Sequence, residues 1–296
     1  MIIAQSTDTQ TIVRAYITLV KPRIIMMLLF TALGGLFMAS GGVPDLLKTI
    51  IVLVGGTLAS AGANAINQSM DRDIDEAMKR TASRPVVVGL IPSHHAIIFG
   101  IVVNVIAFFL MAGLLNVLSA ALTIGATLFY VLVYTKALKR TTTQNIVIGG
   151  AAGALPPLIG WTAVTGSIGL PAIYLFAIVF FWTPPHFWAL ALMLKDDYAR
   201  AKVPMLPVVA GIFETKKTIL LYTILMLALT TMFYATDAVG LVYLALSAAA
   251  GIAFIYYAWR LMRTPEIEGA KPLYLYSLLY LAILFTAIIA DSLVRI

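Results

Sequence analysis

Nine long apolar stretches dominate this chain and leave it few ways to fold. They run over Ile24–Gly41, Ile50–Met70, Ala96–Leu115, Leu118–Tyr134, Ile146–Thr165, Pro171–Leu194, Ile219–Ala235, Val239–Leu261 and Leu273–Asp291. Each is roughly as long as a bilayer core is thick. In lipid every backbone N–H and C=O must be satisfied inside the protein, so only helices and closed barrels can cross. Runs of this length without two-residue alternation exclude strands. The expected fold is an all-α polytopic membrane protein of nine transmembrane helices. Its 61% hydrophobic and 11% charged residues agree with this, since a soluble domain carries about 25% charged residues.

The few charges fall in a pattern. Lys and Arg cluster in the N-terminal segment and in the second–third, fourth–fifth, sixth–seventh and eighth–ninth connections. These places hold 18 of the 20 basic residues; only Lys48 and Arg295 remain for the other side. The positive-inside rule then puts the N-terminus and these loops in the cytoplasm and the C-terminus outside. The expected location is the cell membrane. The net charge of +7 is accordingly read as a topology signal rather than a nucleic-acid footprint. Cysteine is absent, which excludes disulfides, zinc–thiolate sites and a cysteine nucleophile. Met1–Lys21 lacks the short basic-then-apolar form of a cleaved signal. No linker or low-complexity tract divides the chain, so residues 1–296 read as one membrane domain.

Chemistry is concentrated where the second stretch ends. Asn67, Asp71 and Asp75 stand at i, i+4 and i+8 and share one helix face, with Asn64 close to it. Stacked carboxylates repel one another and call for a cation. Hard oxygen ligands suit Mg²⁺, which takes its remaining ligands from water and phosphate. The bland alternative is a solvated helix end paired with Arg72, Lys79 and Arg80. A second acidic pair, Asp196 and Asp197, follows the sixth stretch on the same side. Two such clusters could hold Mg²⁺ between them and grip a diphosphate. Lys21, Arg23, Arg80, Arg84, Lys136, Lys139 and Arg140 surround them and are candidate phosphate contacts. This mix suits an allylic diphosphate, whose C–O bond breaks towards a carbocation while negative charge departs on diphosphate. Phe129, Tyr130, Trp182 and Phe187 are candidates to shield that cation in an apolar cavity, although each also suits plain bundle packing.

Several strings carry a resemblance. Asn67-xxx-Asp71-xxx-Asp75 resembles the first aspartate-rich motif of the UbiA superfamily of intramembrane prenyltransferases. The run from Asp71 to Pro85 resembles the haem-farnesylating branch of that superfamily. So do Lys21-Pro-Arg23, Tyr134–Thr141, Gly149–Pro157, Gly160-Trp161, Trp182–Trp188, Asp196-Asp-Tyr198 and Val203–Pro207. The resemblance implies a nine-helix bundle around a central, cytosol-facing cavity. It implies farnesyl transfer from farnesyl diphosphate to a vinyl group of haem B, with addition of water to form haem O and with Mg²⁺ as cofactor. It implies that Asn67, Asp71 and Asp75 form the first metal–diphosphate motif, that Asp196 and Asp197 stand at the second, and that Lys139 and Arg140 are a basic pair near the diphosphate. A haem A synthase is the partner implied downstream. The wider superfamily repeats Asp at i+4 in its second motif, whereas here Arg200 and Ala201 follow at that spacing.

His186 is the one histidine inside an apolar stretch. An imidazole in a membrane helix is a functional candidate, here for haem iron or a haem propionate; the alternative is a hydrogen bond to a neighbouring helix. Two rival functions share these features. One is prenyl transfer to an aromatic quinone precursor, which differs only in the acceptor pocket. The other is a transporter, which also uses intramembrane carboxylates and broken helices, although here the acids cluster at the membrane boundary rather than the midplane.

Overall fold

The computed structural model describes residues 8–294. Met1–Thr7 and Arg295, on which part of the leader and charge readings rest, lie outside the described residues. Among the described residues nine helices are long and apolar enough to cross a membrane. They are α2 (Pro22–Ser40), α3 (Leu46–Met70), α5 (Ser93–Leu114), α6 (Val117–Leu138), α7 (Asn145–Thr165), α8 (Leu170–Met193), α11 (Gly211–Thr236), α12 (Leu241–Arg263) and α13 (Ala270–Val294). Four short helices complete the set: α1 (Thr9–Val20), α4 (Arg72–Ala77), α9 (Lys195–Arg200) and α10 (Leu206–Val209).

The expected spans are all present, with two differences of extent. α11 begins eight residues before the expected Ile219, because the charged turn Glu214–Lys217 is itself helical. Lys216 stays buried there by donating Nζ–H to the Thr264 carbonyl at 2.8 Å, which caps the C-terminal end of α12. The segment read as a polar lead-in contains α1. Its Ala15 and Leu19 pack inward, whereas Ile12, Val13 and Ile17 remain exposed, as suits a helix lying along the membrane surface.

Small residues set the closest helix approaches. A Cβ on Gly35 would overlap the Pro157 carbonyl of α7, and one on Gly160 would overlap the Ala32 carbonyl of α2. On the other flank Gly62 of α3 and Gly100 of α5 face each other's carbonyl oxygens, so an added Cβ would stand 2.5–2.7 Å away. In lipid such crossings rest on van der Waals contact, which small residues permit. Asn104 adds polar glue midway along α5. It donates to the Gly100 carbonyl at 2.8 Å and accepts from the Thr127 hydroxyl of α6 at 2.9 Å.

The half built from α8, α11, α12 and α13 holds the largest continuous core, around Phe233, Tyr243, Phe254, Tyr280 and Phe285. At the end of α13, Asp291 is buried and accepts from the backbone N–H of Gly240 at 2.6 Å. A carboxylate at the start of α12 satisfies otherwise orphaned donors and complements the helix dipole. Gly160→Val should lower the apparent Tm of the detergent-solubilised protein by several degrees, in line with overpacking of about 1–3 kcal/mol. Substitution of Gly113, where an added Cβ meets nothing, should leave the melting curve in place.

Candidate active site at the charged end of the bundle

The acidic motif is assembled by an almost unbroken helix. α3 ends at Met70 and α4 begins at Arg72, yet Asp71 N–H still reaches the Asn67 carbonyl at 2.9 Å, and Asp75 N–H the Asp71 carbonyl at 2.8 Å. The i, i+4, i+8 stripe therefore survives the junction. Asn67, Asp71 and Asp75 are all buried, with exposures of 3%, 0% and 2%. Two uncompensated carboxylates could not sit there. Lys139 meets Asp71 Oδ2 at 2.5 Å, and Arg84 meets Asp75 Oδ2 at 2.5 Å.

Asn67 ties four segments together. Its Nδ2 donates to Asp71 Oδ2 at 2.7 Å and to Thr135 Oγ1 at 3.0 Å, and its Oδ1 accepts from Lys21 Nζ at 3.1 Å. Lys21 reaches it because the chain turns there into the left-handed region, φ 57°. Burial pulls the Lys21 ammonium down to about 7, with like-charge repulsion from Arg84 and Lys139 acting in the same direction and Asp75 and Asp71 opposing it. Thr135 reaches Asn67 because Phe129–Leu138 is wound as a π-helix. In it Thr135 Oγ1 donates to the Tyr130 carbonyl at 2.9 Å, and Lys139 N–H to the Tyr134 carbonyl at 2.8 Å, both five residues back. Widened turns of this kind recur at functional sites; here one brings Thr135 and Lys139 to the acidic stripe together.

Other candidates occupy different places. Asn64 is not part of the acidic face; with Gln68 it caps α1, donating to the Val20 and Leu19 carbonyls at 3.0 and 2.8 Å. Arg140 forms a fork with the exposed Asp73, at 2.6 and 2.7 Å, and its Nη2 stands 3.9 Å from Asp71 Oδ1. That fork holds the Asp73 carboxyl down at about 2. Arg23 and Lys136 are exposed and make no hydrogen bond or ion pair among the described residues. Arg80, also exposed, lies by the Tyr198 hydroxyl.

The second acidic pair does reach the same end of the bundle. Ile74 and Met78, flanking Asp75, pack with Tyr198 of α9, and Arg200 stands 3.4 Å from the Ala77 carbonyl. Within the pair the two carboxylates diverge. Asp197 is paired with Arg200 at 3.0 Å, whereas Asp196 is exposed with no such partner. Arg200, which departs from the superfamily pattern, is thus the counter-ion of Asp197.

Divalent metal fits this donor set in part. Asp71 Oδ1 is buried and accepts no hydrogen bond, with Arg140 Nη2 3.9 Å away, a hard-oxygen donor one helical turn before Asp75. Yet among the described residues no three Asp, Glu or His side chains converge on one ion. The five residues expected to share metal therefore do not form a ready-made cage, and water and phosphate oxygens would have to complete the shell.

Sixteen residues beyond the start of α8, His186 is buried. Its ring stacks on Trp182 at 4.4 Å and on Tyr274 at 4.8 Å, and meets Phe187 edge-on at 5.4 Å. Its Nδ1 lies 2.7 Å from Ser277 Oγ, and Trp182 Nε1 donates to the Ser277 carbonyl at 2.8 Å. Of the aromatic candidates, Tyr130 stacks with Tyr134 at 5.5 Å, within electrostatic reach of Asp71. The sequence reading missed Ser277 and gave Tyr134 and Thr135 no site role, although both fall in the string Tyr134–Thr141 that carries the resemblance. A serine in an apolar helix carries no signal until the neighbouring helix is in place.

Fold and site together define a polytopic helical membrane protein whose charged end is built from buried carboxylates facing amines and guanidinium groups. The chain belongs to the UbiA prenyltransferase family, whose model matches residues 28–286. It is 47% identical over 284 residues to a protoheme IX farnesyltransferase of Nostoc sp. (strain PCC 7120), covering 95% of this chain and 89% of that one. It is 48% identical over 283 residues to one from Roseiflexus sp. (strain RS-1), covering 96% of this chain and 53% of that one. The chain thus spans about half the length of the Roseiflexus relatives. Among solved structures, a digeranylgeranylglyceryl phosphate synthase superposes with a TM-score of 0.79 at 21% identity, over 95% of this chain and 99% of that one. A UbiA homolog from Archaeoglobus fulgidus bound to GPP and Mg²⁺ superposes with a TM-score of 0.64 at 17% identity, over 93% of this chain and 99% of that one. These structural likenesses establish the fold.

The ion pairs are separable by burial. Lys139→Met should lower the apparent Tm sharply, because Asp71 is left buried without its partner, a loss of about 3–5 kcal/mol. Adding Asp71→Asn to the same protein should recover part of it. Arg140→Gln, which breaks a largely exposed pair, should shift the Tm little.

Proposed function

We propose that this chain is a protohaem IX farnesyltransferase: it joins the farnesyl group of farnesyl diphosphate to a vinyl group of haem B, adds water and releases diphosphate, forming haem O. The observation that carries this reading is the pairing of buried Asp71 and Asp75 with Lys139 and Arg84 at the end of the bundle. Likeness to the cyanobacterial farnesyltransferases over nearly the whole chain supports the choice of haem as acceptor. A quinone-precursor acceptor would use the same charged end but leaves those names without an account. A transporter leaves the matched cations at the membrane boundary without one.

In this reading Asp71 and Asp75 bind Mg²⁺, with Asn67 orienting Asp71 through the 2.7 Å hydrogen bond. Asp197, held by Arg200, and Asp196 add negative charge on the facing side. Bound Mg²⁺ would supply electrostatic stabilisation of the leaving diphosphate. Lys139, Arg84 and Lys21 donate to diphosphate oxygens as the C1–O bond of the farnesyl group breaks. The terminal vinyl carbon of haem bonds to C1, the positive charge falls on the inner vinyl carbon, and water closes it as a hydroxyl with loss of a proton. Tyr130 and Tyr134 screen the cation from bulk water. Arg80 and Arg140 stand at the rim and guide the anion in. Arg23 and Lys136 serve topology. His186 faces the haem.

The distribution of Lys and Arg supports a cytoplasmic-membrane location with this charged end towards the cytoplasm. A haem A synthase would consume the product, and direct handover to it belongs to the same proposal. Purified protein supplied with haem B, farnesyl diphosphate and Mg²⁺ should form a product heavier than haem by one farnesyl group plus one hydroxyl, detected by mass. Chelation of divalent metal should stop it. Asp71→Asn should reduce the rate roughly 10²-fold or more, the size expected for losing a principal electrostatic group; Asp73→Asn, on the exposed fork, should stay within about threefold. Transfer to a phenolic acceptor in place of haem would overturn the assignment.

A further inference from the structure

The last helix, α13, carries no motif, yet one of its serines decides the state of the buried histidine. Ser277 is fully buried. Its Oγ lies 2.6 Å from the Tyr274 carbonyl and 2.7 Å from His186 Nδ1. A hydroxyl has one proton and can give it only once. The carbonyl can only accept, so the Ser277 proton goes to Tyr274. The remaining contact is then a hydrogen bond from His186 Nδ1–H to Ser277 Oγ. That leaves Nε2 as the unprotonated nitrogen. Nε2 has no hydrogen-bond partner among the described residues, and it is not among the sealed polar atoms of the interior. The ring cannot turn to trade the two nitrogens freely, because Trp182 and Tyr274 hold it from both faces and Trp182 is itself pinned to the Ser277 carbonyl. The unshared pair of Nε2 is therefore held in one fixed direction, on a ring that keeps 7% of its surface.

We propose that Ser277 is a positioning residue: it locks His186 in the Nδ1–H tautomer so that Nε2 is presented as a base to a metalloporphyrin acceptor. The second half of this statement rests on the haem reading above; the first half does not. Its chemistry is the common one for a metal-binding histidine, in which the far ring nitrogen donates to an oxygen that fixes the tautomer. Here the ring approaches the iron of a substrate rather than of a resident cofactor. An acceptor held through its iron would keep one vinyl edge in a constant position while the farnesyl chain arrives.

The full-length protein in lipid nanodiscs, labelled with ¹⁵N in its imidazoles, tests both halves. The chain has three histidines, so the ring signals can be assigned with His186→Ala. Without haem, the parent should show His186 as the neutral Nδ1–H form, Ser277→Ala should move it to the Nε2–H form or a mixture, and Ser277→Thr should restore the parent pattern. An Nε2–H parent, or a Ser277→Ala spectrum like the parent's, overturns the proposal. Ferric haem B is then titrated in. The parent should show an iron–histidine signature by electron paramagnetic resonance that His186→Ala loses, and Ser277→Ala should bind haem roughly tenfold more weakly. Absence of an iron–histidine signature in the parent overturns the presentation of Nε2 to haem. If product analysis with haem and farnesyl diphosphate then also fails, the functional reading falls with it; if haem O still forms, that reading stands and only the role of His186 and Ser277 is lost.

Discussion

Two negative charges buried at the end of a membrane bundle are the constraint on which the rest of this structure turns. Asp71 and Asp75 have almost no access to solvent, and a carboxylate in such a place is tolerated only with a partner. The partners come from far along the chain: Lys139 from the end of α6, Arg84 from the loop after α4. Asn67 adds Lys21 and Thr135 to the same group. Helices that meet largely through van der Waals contact in the bilayer are thereby held in register at one end. Under the proposed function, a cation and an anionic substrate would together replace what these side chains do for each other.

The helix geometry serves this end of the molecule. α1 is anchored through its own C-terminal carbonyls, which Asn64 and Gln68 satisfy, and it delivers Lys21 in a left-handed turn. The π-helical stretch of α6 adds a residue per turn and so brings Thr135 and Lys139 onto the acidic stripe. Gly35, Gly62, Gly100 and Gly160 let α2, α3, α5 and α7 approach closely. The aromatic group around His186 lies in the other half, where α8 meets α13. Under the proposed function, the diphosphate would be held where α3 meets α6 and the haem where α8 meets α13.

Much of this could be read from the chain before any coordinates. Long apolar runs with few charges admit no solution but membrane helices, and the one-sided Lys and Arg fix which ends share a face. The i, i+4, i+8 spacing of Asn67, Asp71 and Asp75 names a stripe, because helix periodicity is a local property. The strings that resemble the UbiA superfamily named the family and its chemistry. Tertiary structure decided the rest. It separated Asp71 and Asp75, which are buried, from Asp73, which faces out, although all three stand within five residues. It removed Asn64 from the site, left Arg23 and Lys136 apart, paired Asp197 with Arg200, and revealed Thr135 and Ser277. Those outcomes depend on which side chains from distant helices arrive at the same point. Electrostatic pairing and hydrogen bonding act over a few ångströms in space, and spacing along the chain does not encode that distance.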